Sequence, residues 1–238
     1  MSTERRLDGA RQGAEVPALP VPERENVLEE QKRYYAARAP EYDDWWFRRG
    51  RYGFGPEETE NWDADVAEVE AAVEAFVPRG SMLELAAGTG IFTRKLVRLA
   101  ERVVAVDANA ETLALNTPEA ELVQADVFAW RPEELFDLVF FSFWLSHVPE
   151  ERFDEFWELV RSALRPDGRV FLIDSGPRGD ATDHGEQLRQ LADGREFTIV
   201  KRYWTPRQLE ARLRPLGFAL DVRLTANTHL LYGRGVAE

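Results

Sequence analysis

The chain has 238 residues, enough for one large domain, and no cysteine, which excludes disulfides, thiolate metal ligands and a cysteine nucleophile. Its 43 acidic and 30 basic side chains give a net charge of -13, and without a Lys/Arg cluster this disfavours a nucleic-acid substrate. No apolar run approaches the ~18 residues that span a bilayer, and no secretory signal is evident, so a cytoplasmic protein without membrane contact is expected.

The N-terminal third predicts a lead-in followed by a helical cap. Residues 1–24 are polar and rich in Gly and Pro, which predicts disorder. Residues 26–46 are helix-like, and we expect Pro40 to break them into two short helices because proline cannot donate a backbone hydrogen bond. A further helix is expected at about 60–76, where valines recur on one stripe. We assign residues 25–80 to this cap.

The remainder of the chain, residues 81–238, alternates short apolar runs with helix-like segments. This alternation is typical of a parallel sheet with right-handed crossovers. The run 136–145 is almost entirely apolar, as expected for a central strand covered on both faces. We predict a Rossmann-like, doubly wound α/β fold with a mostly parallel seven-stranded sheet. Its parallel strands are expected at 82–86, 102–107, 120–126, 136–143 and 169–175.

The C-terminal part is less regular. Residues 175–198 are mostly polar and predict an insertion after the fifth strand, near the expected ligand site, and the run 196–204 alternates like a strand. Two last runs, 218–225 and 228–235, predict an antiparallel edge for the sheet.

The strongest motif is ELAAGTG, residues 84–90, between a predicted strand and a predicted helix. Gly88 and Gly90 permit backbone angles closed to other residues, and free N–H groups at a helix start favour an anionic ligand group. Asp107 and Asp126 follow at the ends of the next two strands. Each feature alone has an ordinary structural explanation, such as a turn or a helix cap. Their consecutive order at one sheet edge favours a nucleotide-type ligand site.

A dinucleotide-binding dehydrogenase is the competing interpretation of the glycine loop. Its G-x-G-x-x-G fingerprint needs a third glycine for close helix–strand packing, and Thr93 stands there. This departure disfavours the dehydrogenase.

Taken together, the motifs resemble those of class I S-adenosylmethionine-dependent methyltransferases over roughly Tyr34 to Asp174. The segments that carry the resemblance are ELAAGTG, AVDA, QADVF, FDLVFFSFWLSHVP and LRPDGRVFLIDS. They are specific to the superfamily rather than to one substrate. The resemblance implies S-adenosylmethionine as cofactor and S-adenosylhomocysteine as product. No metal is expected, because no cluster of His, Asp and Glu suggests a metal site.

The resemblance also implies roles for the residues around the glycine loop. Gly88 and Gly90 would lie against the methionine part of the cofactor, and Glu84 would support that loop. Asp107 would hold the ribose hydroxyls, and Asp126 with the Val127 backbone would meet the adenine. Three further cofactor contacts are expected at Ala86, Ala108 and Phe143.

The segment YYAARAPEYDDWW resembles the lid that precedes the first strand in many of these enzymes. Tyr35 and Tyr42 are expected to close over the cofactor, and Trp45 and Trp46 to cover the acceptor, with Trp46 as the acceptor-binding residue. Aromatic faces attract a sulfonium through cation–π interaction. Simple packing of these rings against the domain is the alternative.

His147 follows the fourth strand and is the candidate catalytic residue, either as a base that deprotonates an acceptor hydroxyl or as a structural residue of the loop. His147 and Tyr203 are also candidates for acceptor binding. Four others are weaker candidates for this region or for structure: Asp174, His184, Arg202 and His229.

The sequence therefore predicts an enzyme that transfers a methyl group to a hydroxyl, amine or carbon of a small molecule by in-line displacement. The alternative is a protein of this fold that binds the cofactor but acts as a non-methylating catalyst or a binding module. Either a monomer or a homodimer is compatible with the sequence.

Overall fold

A computed structural model describes residues 21–177 and 185–238, with side chains from residue 27. Of the predicted lead-in 1–24, residues 1–20 lie outside the described part, and the first helix begins at Val21. The strands are β1 Ser81–Leu85, β2 Arg102–Asp107, β3 Glu121–Gln124, β4 Phe136–Ser142, β5 Leu164–Ser175, β6 Gly185–Gln190, β7 Glu196–Lys201, β8 Phe218–Leu224 and β9 Leu230–Ala237. The α-helices are α1 Val21–Trp46, α2 Pro56–Phe76, α3 Thr93–Leu99, α4 Ala110–Leu113, α5 Phe153–Ala163 and α6 Pro206–Leu213.

Seven strands form one sheet in the order β3-β2-β1-β4-β5-β9-β8. Strands β1 to β5 are parallel, and β9 and β8 add an antiparallel edge. The predicted Rossmann-like sheet and its antiparallel edge are confirmed. This order places the ends of β1, β2 and β3 side by side, and that edge carries the site.

Strand β4 lies in the centre of the sheet and is covered on both faces, which explains why its sequence is apolar throughout. Val139 and Phe141 point into the core formed with α5 and α6, while Leu138 and Phe140 point into the core formed with α2 and α3. All four side chains are fully buried. A strand covered on both sides has no polar face, so the prediction for this run is confirmed.

Helix α1 differs from its prediction. Pro40 lies inside one continuous helix instead of separating two short ones. Proline costs the helix one backbone hydrogen bond. Here buried aromatic rings on both sides of Pro40, including Tyr34 and Trp46, pack both halves of α1 against the rest of the protein. The tertiary packing outweighs the local penalty.

The polar segment after β5 also differs from its prediction. It contains an unpredicted strand, β6, and the predicted strand β7 pairs with it in a separate two-stranded sheet. The hairpin packs on α1 through Tyr34, Leu191 and Ile199. Solvent on one side of the hairpin explains its polar sequence. Among the described residues, no helix is long and apolar enough to cross a membrane.

Candidate active site

The tips of β1, β2 and β3 surround one cavity. Gly88, Asp107 and Asp126 all line it, so the structure brings together the three residues on which the sequence argument depended. Most of the other expected site residues line the same cavity. They are Tyr35, Tyr42, Ala86, Ala108, Val127, Phe143 and His147.

Asp107 organises the glycine loop. Its Oδ2 accepts a hydrogen bond from the Gly88 N–H at 2.8 Å, and its Oδ1 accepts from the Asn109 N–H and the Thr112 hydroxyl, each at 2.9 Å. Burial raises the pKa of Asp107, and these hydrogen bonds oppose that rise. The carboxylate is 7% exposed and lines the cavity, so it lies within reach of a ligand hydroxyl.

The two glycines of the loop serve different purposes. Gly88 has φ +55°, and a Cβ built there would meet no heavy atom within 4 Å, so the backbone fronts open space where a ligand can approach. Gly90 has φ +85°, and a Cβ there would lie 2.1 Å from Asn116 Oδ1. Gly90 is not among the lining residues, and its role is to let Asn116 pack against the loop.

Two residues without glycine's freedom also have positive φ at this edge. They are Ala86 after β1 (φ 53°) and Phe143 after β4 (φ 52°), and both line the cavity. Backbone strain of this kind persists where the surrounding structure enforces it and concentrates at functional sites. The two strained residues therefore follow the neighbouring strands β1 and β4 and form part of the cavity wall.

Helix α1 covers the cavity with residues that sequence reasoning did not identify. Lys32 pairs with Asp126 at 2.6 Å, and Gln31 donates to the His147 backbone oxygen at 3.3 Å. The Thr89 hydroxyl donates to Asp43 at 2.5 Å and ties the glycine loop to the same helix. Lys32 and Gln31 lie one helical turn before Tyr35, and this spacing is the signal that could have identified them.

Glu84 lies beneath the loop, with 1% of its surface exposed, and does not line the cavity. Its Oε2 has no hydrogen-bond partner among the described residues. Burial raises the pKa of Glu84 to about 8, a hydrogen bond with Thr93 opposes this rise, and Asp107 adds to it. The side chain is therefore largely protonated at neutral pH.

This burial predicts a pH dependence of stability. The unfolded chain releases the Glu84 proton near its ordinary pKa of 4.5, whereas the folded chain holds it to about 8. Between these values the folded state binds more protons, so its stability falls as pH rises, by up to about 1.4 kcal/mol per pH unit. We expect Glu84→Gln to remove this contribution. In urea unfolding, the free energy of unfolding of the variant should therefore rise relative to that of the wild type from pH 5.5 to 7.5. Parallel curves for the two proteins would contradict the assignment.

His147 is held at both ring nitrogens. Nδ1 lies 2.7 Å from the Val200 carbonyl oxygen, which can only accept, so Nδ1 carries the proton. Nε2 then accepts from the Tyr35 hydroxyl at 2.7 Å. Burial, with the nearby Lys201 cation, holds the pKa of His147 well below its usual range. The ring is neutral, and its lone pair is already engaged by Tyr35.

A second cavity, which we call the acceptor chamber, adjoins the first. The two share a wall made of Tyr35, Tyr42, Phe143 and His147. Tyr203 lines the chamber, and of the two adjacent tryptophans it is Trp45 that does so. Trp46 is not in the lining: it is 4% exposed and packs against Trp62 and Phe92.

The remaining candidates have mainly structural surroundings. Asp174 accepts from the Ser146 N–H at 2.8 Å and the Ser175 N–H at 2.7 Å. Arg202 forms an ion pair with Glu150. His229 bonds Asp65 and Glu58 of α2, and His184 lies outside the described residues.

Comparison with known proteins agrees with this geometry. A family model described as a methyltransferase domain matches residues 82–168. The solved complex of DhpI with SAM and HEP is 37% identical, with a TM-score of 0.73, and the match covers 87% of this chain and 96% of that one. The chain belongs to the class I S-adenosylmethionine-dependent methyltransferases.

Two other comparisons are more distant. Thiocyanate methyltransferase 1 of Arabidopsis thaliana is 31% identical over 49% of this chain, and the match spans 57% of that protein's length. The Burkholderia thailandensis 1,6-didemethyltoxoflavin-N1-methyltransferase, solved with 1,6-didemethyltoxoflavin and S-adenosylhomocysteine, is 20% identical with a TM-score of 0.65. That match covers 98% of each chain and extends the likeness of fold over the whole length.

S-adenosylmethionine is therefore the cofactor and S-adenosylhomocysteine its product. The residues present fit this group. The loop at Gly88 fronts open space, and the Asp107 carboxylate lines the cavity beside it.

Proposed function

We propose that this methyltransferase transfers a methyl group from S-adenosylmethionine to a small molecule bound in the acceptor chamber. One observation supports this above all: the wall of Tyr35, Tyr42, Phe143 and His147 is common to the cofactor cavity and the chamber. A donor and an acceptor in adjoining cavities can be held close and aligned, which is the main requirement of an in-line displacement. The net charge of -13 supports a small molecule rather than nucleic acid.

Each part of the cofactor would have its own residues. S-adenosylmethionine supplies an electrophilic methyl group on a positively charged sulfur. Asp107 would accept from ribose hydroxyls, Asp126 and Val127 would bind the adenine edge, and the loop at Gly88 would contact the methionine part. The ring of Tyr42 lies at the shared wall and offers a π face to the positive sulfur.

His147 would act as a positioning residue. Its Nε2 holds the Tyr35 hydroxyl at the shared wall, and its Nδ1–H binds the Val200 carbonyl of β7. A ring with a lowered pKa and an occupied lone pair is a poor proton acceptor. We therefore prefer the structural alternative over a general base.

Two measurements test the proposed function. Calorimetric titration with S-adenosylhomocysteine should show binding at micromolar concentrations, and transfer from methyl-labelled S-adenosylmethionine should then be screened over a panel of acceptors. The ligands named for the relatives, thiocyanate, HEP and 1,6-didemethyltoxoflavin, are suitable first members of the panel. Absence of binding would overturn the assignment. Tight binding without transfer to any acceptor would favour a non-methylating catalyst or binding module.

A further inference from the structure

We propose that the acceptor chamber binds its small molecule through an oxyanion, a carboxylate or phosphonate type of group, with Arg38 and Arg189 as the residues that select for it. This inference rests on the proposed function and names the substrate class for that site. It is carried by the charge of the chamber, the surroundings of its arginines and the absence of a suitable base in its described lining.

The charge of the chamber is opposite to that of the chain. The whole protein has a net charge of -13, yet the described residues that line the chamber include no Asp or Glu. Its five cationic side chains are Arg38, Arg48, Arg51, Arg189 and Lys201. A cleft lined by one sign of charge concentrates ligands of the other sign.

Arg38 lies beside the shared wall. Its guanidinium carbon is 5.0 Å from the ring centroid of Tyr42 and 5.6 Å from those of Tyr34 and Tyr52. Its Nε is buried without a hydrogen-bond partner, and the titratable side chains around it in the described part of the chain are tyrosines rather than carboxylates. A cation enclosed by rings is costly without a counter-charge, and a bound anion would supply one.

Arg189 reaches the chamber from β6 of the hairpin. Among the described residues its hydrogen-bond partner is neutral: Arg189 Nη2 donates to the Gln187 side-chain oxygen at 2.6 Å. Lys201 differs, because it donates to the Ser146 hydroxyl at 2.8 Å and lies 3.8 Å from Asp174. We therefore assign the ligand's charge to these two arginines. A planar guanidinium fork matches an oxyanion in geometry as well as in charge.

An anionic acceptor also agrees with the chemistry available in the chamber. Burial raises the pKa of Tyr35, and the neutral His147 is a poor base, so the described lining has no group suited to deprotonating a neutral hydroxyl. An acceptor oxygen that is already anionic needs none. Its lone pair forms the new C–O bond while the C–S bond breaks, the bonding pair stays on sulfur, and no proton moves.

The test measures anion binding to the protein saturated with S-adenosylhomocysteine, by NMR titration in low-salt buffer. The probes are acetate and methylphosphonate, each paired with a neutral analogue, acetamide and dimethyl methylphosphonate. We expect at least one anion to bind more tightly than its neutral analogue. The stronger of the two anions identifies the group as carboxylate or phosphonate. Loss of one charge-assisted hydrogen bond predicts that Arg38→Gln and Arg189→Gln each weaken this binding about tenfold or more.

Arg207→Gln is the matched control, because Arg207 is exposed on α6 outside the chamber and its loss changes the net charge equally. This control should leave anion binding within about twofold, and all three variants should keep their unfolding temperature and their affinity for S-adenosylhomocysteine. Equal binding of anions and neutral analogues, or an equal loss in Arg207→Gln, would overturn the inference while leaving the proposed function intact. Failure of the wild type to bind S-adenosylhomocysteine would instead overturn the proposed function.

Discussion

The Asp107→Ala variant is expected to bind S-adenosylhomocysteine roughly 100-fold more weakly than the wild type, a loss of about 2.7 kcal/mol. The carboxylate has two tasks that alanine cannot perform. It holds the Gly88 and Asn109 N–H groups in place, and at the cavity wall it would accept a hydrogen bond from the ligand. A charge-assisted hydrogen bond contributes about 1.5–3 kcal/mol, and the loosened loop adds to that loss. Titration calorimetry measures the difference directly.

Asp137→Ala provides the control for this prediction. Asp137 lies in the same strand layer but at the opposite edge, where its Oδ2 accepts from the Ser81 N–H at 2.8 Å and from Arg165 at 2.7 Å. Its removal changes the net charge equally and should leave the affinity for S-adenosylhomocysteine unchanged. If both variants lose affinity alike, or if Asp107→Ala binds normally, Asp107 does not hold the cofactor.

The Asp65→Ala variant is expected to have a free energy of unfolding about 3–5 kcal/mol lower than that of the wild type. Asp65 of α2 is fully buried and accepts from the backbone N–H groups of Asn227 and His229 and from His229 Nδ1, all within 3.0 Å. Alanine would leave these donors without an acceptor, each at a cost of about 1–3 kcal/mol. In thermal unfolding this corresponds to a fall in Tm of roughly 10 °C for a chain of this size.

Asp63 on the same helix is the comparison residue for that measurement. It is exposed, so Asp63→Ala should change the free energy of unfolding by less than about 0.5 kcal/mol. A small effect of Asp65→Ala would show that the turn between β8 and β9 does not depend on this carboxylate. Trp62 lies beside these hydrogen bonds of Asp65, and it packs edge-on against His229 and against Trp45 of the acceptor chamber.

The central sheet and the cofactor cavity could be predicted because their signals are local. A buried strand is recognisable from its own apolar run, as in β4, and Gly88, Asp107 and Asp126 lie at or just after the ends of β1, β2 and β3. Parallel strands then bring these tips together at one edge without further information. The fold and half of the site thus follow from short segments read one at a time.

The acceptor chamber could not be predicted in the same way, since its walls come from distant segments. Arg38 lies on α1 and Arg189 on β6, and nothing in either segment indicates the other. The strand β6 was missed because its polar residues face solvent, and the continuity of α1 through Pro40 depends on rings packed from elsewhere. Trp46 was expected to bind the acceptor, but Trp45 lines the chamber and Trp46 is buried in the core. Two adjacent residues of a helix do not reveal which ring faces the chamber.

The single helix α1 forms part of both cavities, since Lys32 and Tyr35 line the cofactor site while Arg38 and Trp45 line the chamber. Any ligand that orders this helix lowers the entropic cost for the second ligand, because the same segment needs to be fixed only once. If the cofactor and the proposed acceptor couple through this helix, thermodynamic reciprocity makes the factor identical in both directions. The dissociation constant of either ligand would then depend on the occupancy of the other.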